Sequence, residues 1–282
     1  MDDEVQGGWR IDDATRQALR LDRVRKALDK SDWPGAVLEV EELLDETPDH
    51  PEALFLLAEA LLELGDAEGA RDAYQQHLSA AGPDGDKAMR AGALAGLAVA
   101  RFECVELQAA VEAARASLAI APDLGETHFY LGLALERIPG KKSEAVQSFI
   151  AAHRLDPEAY PLPVQFSEAQ WNAMVAEATS ALPDAVRTFW KGVPVLLVDL
   201  PDLAELRAID PPLTPTVSGL YDGVPPEEGD PSTEKPESVR LFTGNLARLG
   251  ARETIVAEIG NTLLHEAFNW LGVTDDEVAE EA

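Results

Sequence analysis

The residues whose types and spacing could do chemistry lie close to the C-terminus, in Leu264-His265-Glu266-Ala267-Phe268-Asn269-Trp270-Leu271-Gly272-Val273-Thr274-Asp275. Donors at i and i+4 share one face of a helix. When both are imidazoles they hold zinc, and a glutamate beside the first acts as base on the metal-bound water. Here His265 and Glu266 fill the first two places, but the fifth is Asn269. Gly272 offers a turn, with Asp275 three residues beyond it. The neutral amide oxygen of Asn is a weak zinc donor beside imidazole, thiolate or carboxylate. Rescue from elsewhere is hard to arrange. The other histidines, His50, His77, His128 and His153, stand far upstream and are expected to be surface or packing residues, as is the single cysteine, Cys104.

The elements that must position this segment follow from the pattern around it. Ile255, Val256, Ile259, Leu263, Leu264 and Phe268 recur at helical spacing, so a helix is expected from Arg252 to Leu271, capped by Gly272. Upstream, Pro161-Leu162-Pro163 reads as a linker. Phe166 to Leu182 reads as a helix stopped by Pro183, and a short helix follows at Val186–Trp190. Val193 to Val198 is a short apolar run expected to form a buried strand, with a second strand at Val239–Phe242. Between them, Pro201 to Pro236 is rich in Pro, Gly, Asp and Glu and is expected to be mostly loop, with one extended piece at Ser218–Tyr221. Its acidic part, Pro225 to Glu237, is expected to be a solvated excursion rather than a plug for the cleft. A last acidic helix or tail is expected after Thr274.

In this order of elements, residues 163–282 resemble the small bacterial zincin-like metallopeptidases, the minimal matrix-metalloprotease-like fold. The resemblance rests on the Phe166–Leu182-Pro183 helix, the Val193–Val198 strand and the Gly219-Leu-Tyr-Asp-Gly223 turn. The Arg240-Leu-Phe strand and the His265–Asp275 segment complete it. It implies His265 and Asp275 as zinc ligands and Glu266 as the catalytic base. Asn269 departs from the family pattern at the second histidine. The expected outcome is a domain that has lost catalytic zinc and holds no cofactor. The alternative is a peptidase with an unusual His265/Asn269/Asp275 site for zinc or another divalent ion.

The first half is repetitive. Ala36, Ala70, Ala110 and Ala145 are separated by 34, 40 and 35 residues, and Pro48, Gly82-Pro83, Pro122 and Pro157 follow as helix stops. Ala70 leads to Tyr74 and Ala145 to Phe149 at A-x3-aromatic spacing, while Ala114 stands where the third copy should carry an aromatic. A period near 34 with these features is the signature of tetratricopeptide repeats. About four repeats are assigned to residues 17–158, after an N-terminal extension at 1–16. A linker at 159–165 and the zincin-like domain at 166–282 follow. A longer loop is expected around Gly82 to Asp86. The fold class is thus mainly α: an N-terminal α-solenoid plus a small C-terminal α+β domain.

In such a solenoid the first helix of each repeat lines a groove. Counting from each repeat start places Leu21, Arg25, Phe55, Glu59, Glu63, Val99, Phe102, Glu103, Phe129 and Arg137 near it. A groove with aromatic and glutamate side chains fits a protein or peptide carrying apolar and basic residues.

The chain has 282 residues and a formal net charge of -29, shared by both halves. That charge excludes nucleic acid, whose phosphates need clustered Lys and Arg, and anionic membrane surfaces. The acidic start is unlike a secretory signal, and one cysteine excludes an internal disulfide. A bacterial-type cytoplasmic adaptor or scaffold is the resulting expectation.

Overall fold

A computed structural model describes residues 12–226 and 234–273. The chain divides into two compact units, residues 1–151 and 152–282.

The first unit is built of helix pairs. In chain order they are α1 (Asp13–Leu28) and α2 (Trp33–Glu46), α3 (Pro51–Glu63) and α4 (Ala67–Ala81), α5 (Lys87–Glu103) and α6 (Leu107–Ile120), α7 (Gly125–Glu136) and α8 (Lys142–Leu155). Short polar residues begin many of them. Asp12, Asp32, His50, Asp66 and Asp86 each accept a hydrogen bond from a backbone N–H in the first turn, satisfying donors that a helix end leaves free. The expected stops appear where Pro or Gly forbids continuation, and the loop at 82–86 separates α4 from α5. The first helix begins at Asp13, capped by Asp12.

From α1 to α7 each helix packs on the next, and the first helices of successive pairs, α1, α3, α5 and α7, also touch in sequence. Small residues make the close approach possible. Ala36, Ala70, Ala110 and Ala145 are all 2% exposed or less. A Cβ at Gly132 would lie 2.5 Å from the Phe149 ring.

The second unit contains α9 (Glu168–Ala181), α10 (Asp184–Trp190), β1 (Val195–Val198), α11 (Leu203–Arg207), β2 (Gly219–Asp222), β3 (Ser238–Phe242), α12 (Thr243–Leu246) and α13 (Arg252–Leu271). The strand order is β1-β3-β2. β1 runs parallel to β3, with Val195 opposite Val239. β2 runs antiparallel to β3, with Gly219 opposite Leu241. Buried Trp171, Met174, Trp190, Leu241, Ile259 and Leu263 form the core between sheet and helices. The Trp190 indole donates to the Leu263 carbonyl at 2.8 Å, so the ring is buried without an unpaired N–H.

Three expectations need correction. β1 starts at Val195, because the Val193 N–H is taken by the Trp190 carbonyl at the end of α10. The Pro201–Pro236 stretch, expected to be mostly loop with one extended piece, also holds a capped helix: Asp202 accepts from the Ala204 N–H to start α11. Gly219–Asp222, where an extended piece was expected at Ser218–Tyr221 and a turn by the family resemblance, is the edge strand β2, and the bend comes only at Gly223, with φ +122°. The acidic helix or tail after Thr274 lies outside the described residues.

Candidate functional site

In the second unit, β2 and α13 face each other across an open cleft of about 680 Å³. Glycines set how closely they approach. A Cβ on Gly219 would lie 2.6 Å from the Arg240 carbonyl oxygen and 2.8 Å from Thr262 Cγ2. A Cβ on Gly223 would lie 3.3 Å from the Trp270 ring. Trp270 is buried and meets Tyr221 edge-to-face with centroids 5.3 Å apart. It thus packs beneath the site.

The helix brings three of the expected residues together. His265 and Asn269 are exposed on the cleft side of α13, and Glu266 is buried between them and the strand. Glu266 Oε2 accepts the Tyr221 backbone N–H at 3.0 Å. In an antiparallel edge strand alternate N–H groups point away from the partner strand, and this one finds the carboxylate. Burial raises the Glu266 pKa above that of an ordinary glutamate, while the Tyr221 N–H, His265 and the Asn269 side chain pull it back. Burial, reinforced by Glu266, also raises the Tyr221 phenol. Gly272 caps α13 in the left-handed conformation, at φ 67° and ψ 24°. Asp275 lies outside the described residues.

Among the described residues the donors at this cleft fall short of a zinc ion's four ligands. One imidazole, His265, stands one turn before a neutral amide, Asn269. Among the described residues no group of three or more His, Cys, Asp or Glu is arranged to hold a metal. His153, the other histidine of this unit, bonds the Tyr160 carbonyl. His50 caps α3, His77 is buried against the Pro51 carbonyl, and His128 bonds the Pro122 carbonyl. Burial raises the Cys104 thiol to about 11, so it is a poor thiolate donor.

Glu205 borders this cleft without having been expected there, with Arg240 held behind it. Glu205 of α11 lines it and holds Arg240 through two bonds, 2.6 and 2.8 Å long. Arg240 also reaches Asp222 at 2.8 Å. A lone Arg inside an apolar strand was the sequence signal that an acidic partner must be near.

In the first unit the expected groove residues divide sharply. Leu21, Val99 and Phe102 are buried, Phe102 completely. Arg137 lies over the Phe102 ring, 5.4 Å from its centroid, with its side chain only 2% exposed. Phe55 packs edge-on against Tyr74 and His77, and Phe129 against Tyr130 and Phe149. Phe102 is thus packing between helices, while Phe55 and Phe129 make ring contacts and keep part of their surface exposed. The reason is that Ala and Gly on the facing helices leave space that only an aromatic fills. Arg25 is exposed and pairs with Glu52. Glu59 and Glu103 are half-buried, and Glu63 is exposed.

A family model described as tetratricopeptide repeat matches residues 21–86, and one described as zincin-like metallopeptidase matches residues 190–282. The chain joins tetratricopeptide repeats to a zincin-like metallopeptidase domain. No curated protein matches it. Among solved structures, the repeat region resembles a crystal structure of MamA protein at 22% identity, covering 51% of this chain and 75% of that one, with a TM-score of 0.45. YrrB, described as a TPR protein with an unusual peptide-binding site, is 16% identical over 57% of this chain and 76% of its own, with a TM-score of 0.43. A Thermobaculum terrenum O-GlcNAc transferase mutant is 18% identical over 67% of this chain and 32% of its own, with a TM-score of 0.45. Among the described residues of the zincin-like domain and the repeats, no helix is long and apolar enough to cross a membrane.

Proposed function

We propose that the chain is a protein-binding scaffold: the tetratricopeptide repeats contact a protein or peptide, and the zincin-like domain serves as a fold without catalytic zinc. The reading divides the chain at 17–158 and 166–282, joined by 159–165. The observation that carries it is the state of Glu266. Its carboxylate binds the Tyr221 N–H, and the residue one turn after His265 is Asn269, a neutral amide in place of a second imidazole. A general base needs a held water to deprotonate, and a weakly held metal supplies none. The acidic, half-buried Glu59 and Glu103 support a partner with basic residues.

The deciding experiment is elemental analysis of the purified chain beside Asn269→His. The scaffold reading expects a metal-free wild type, with zinc gained by the variant. Near-stoichiometric metal in the wild type would overturn it in favour of a peptidase using His265, Asn269 and Asp275 around the base Glu266.

A further inference from the structure

We propose that the outer edge of strand β1 is a dimerisation surface. It pairs antiparallel with β1 of a second copy of this chain, about a two-fold axis between the two Leu196 residues. This goes beyond the scaffold reading, because it concerns the zincin-like domain and holds whatever the repeats bind.

The sheet has two edges, and the fold treats them differently. On the β2 side the outward Tyr221 N–H is taken by Glu266 of α13. β1 has β3 on one side and packs on the short α12. The Val239 N–H donates to the Pro194 carbonyl at 2.9 Å, which fixes the phase of the parallel ladder. Pro194, Leu196 and Val198 therefore turn their backbone groups toward β3, and Val195 and Leu197 turn theirs outward. Those outward N–H and C=O groups bond no described residue. Such a row is a template for another strand, and sheets guard it with lysine, proline, a bulge or a covering element. β1 itself reads Val-Leu-Leu-Val and carries no charge or proline. Val195 and Leu197 pack on the core, while Leu196 points to the other face and is 45% exposed. Arg240 of β3 flanks Leu196 on the inner side, and no strand flanks it on the outer side.

Symmetry and charge choose the occupant. Antiparallel pairing about Leu196 sets Val195 opposite the partner's Leu197, and Leu197 opposite the partner's Val195. Each pair exchanges two hydrogen bonds, so every outward group of both strands is used. The two Leu196 residues form the close pair between them, and each covers the other's exposed side. The ends of β1 carry opposite charge. Lys191 precedes the strand, and the Lys235 ammonium is fixed beside it by the Thr188 and Lys191 carbonyls, at 3.2 and 2.7 Å. Asp199 and Asp202 follow the strand. An antiparallel copy brings each lysine end to an aspartate end, whereas a parallel copy would bring like charges together. In a chain of net charge -29, that local match lets a second copy approach. An edge this short supports a weak dimer.

The test is analytical ultracentrifugation of the full chain at 0.15 M salt, from about 5 to 500 μM. The wild type is expected to pass from monomer to dimer across this range. Leu196→Lys sets like charges opposite each other and is expected to weaken the dimer about tenfold or more. Leu38→Lys makes the same change at a 66% exposed leucine of the repeats and should leave the dimer unchanged. Register is read by cross-linking. Opposed residues of the close pair lie within disulfide reach. Leu196→Cys should therefore form a covalent dimer with oxidised glutathione, two thiols giving one disulfide and two reduced glutathiones. Leu38→Cys should not, and neither should the wild type, whose only thiol is the buried Cys104. Melting curves confirm that Leu196→Lys is folded, and Leu196→Cys decides where it is not. A wild type that stays monomeric, a dimer that Leu196→Lys leaves intact, or cross-linking of Leu38→Cys as fast as Leu196→Cys overturns the interface. Stoichiometric metal in the wild type would sink the scaffold reading and leave this interface standing.

Discussion

The Tyr221 backbone N–H donates to Glu266 Oε2 across 3.0 Å, tying the edge strand β2 to helix α13. The tether predicts that Glu266 matters for stability. Glu266→Ala would leave the Tyr221 N–H without its partner and lower unfolding free energy by about 1–3 kcal/mol. Glu266→Gln, which keeps a carbonyl acceptor, should cost less. Chemical denaturation followed by tryptophan fluorescence reads the difference through Trp190 and Trp270, both in this core. A midpoint for Glu266→Ala equal to that of the wild type would remove the tether.

Phe102 carries a second prediction. It is fully buried, meets Tyr130 at 5.5 Å and lies beneath Arg137. Phe102→Ala should therefore cost about 3–5 kcal/mol through the cavity it leaves. The loss would appear as unfolding of the repeats, and any loss of partner capture would follow from it. A Phe102→Ala chain with an unchanged melting temperature would return Phe102 to the surface.

These two residues show what was legible in the sequence. Helix existence and helix ends were, because Pro48, Pro83, Pro122 and Pro157 act locally on the backbone. Each of α2, α4, α6 and α8 stops two residues before one of them. The left-handed Gly272 cap was legible for the same reason. Which side of a helix is free was not. Repeat phase placed Phe102 on the groove side, but neither Arg137 above it nor Tyr130 beside it is local in sequence. The cleft divided likewise: adjacency in one helix gave His265, Glu266 and Asn269, while the Tyr221 and Glu205 contacts depend on tertiary pairing.

Two glycines give opposite signs for one substitution. Ala is a better helix former than Gly by about 1 kcal/mol. At Gly260 in α13 an added Cβ meets nothing within 4 Å, so Gly260→Ala should raise the melting temperature. At Gly132 the added Cβ would stand 2.5 Å from the buried Phe149 ring. Overpacking there costs about 1–3 kcal/mol and outweighs propensity, so Gly132→Ala should lower it. Differential scanning calorimetry of both variants checks the pair, and equal shifts would mean that propensity alone decides.

Two carboxylates of the first helices, Glu59 of α3 and Glu126 of α7, predict an inverted acid response in the repeats. Glu59 and Glu126 have folded-state pKa values above the ordinary 4.5. The folded chain therefore binds more protons than the unfolded chain between that value and the raised ones. Stability falls as pH rises through this window and is recovered on mild acidification. The melting temperature should thus increase as pH is lowered from neutral toward about 5, before the paired carboxylates protonate in turn. Glu59→Gln removes one of the two charges, so it should raise the melting temperature at neutral pH and flatten the acid response. A wild-type chain that loses stability steadily from neutral to pH 5, with Glu59→Gln behaving identically, would show that the two carboxylates keep ordinary values.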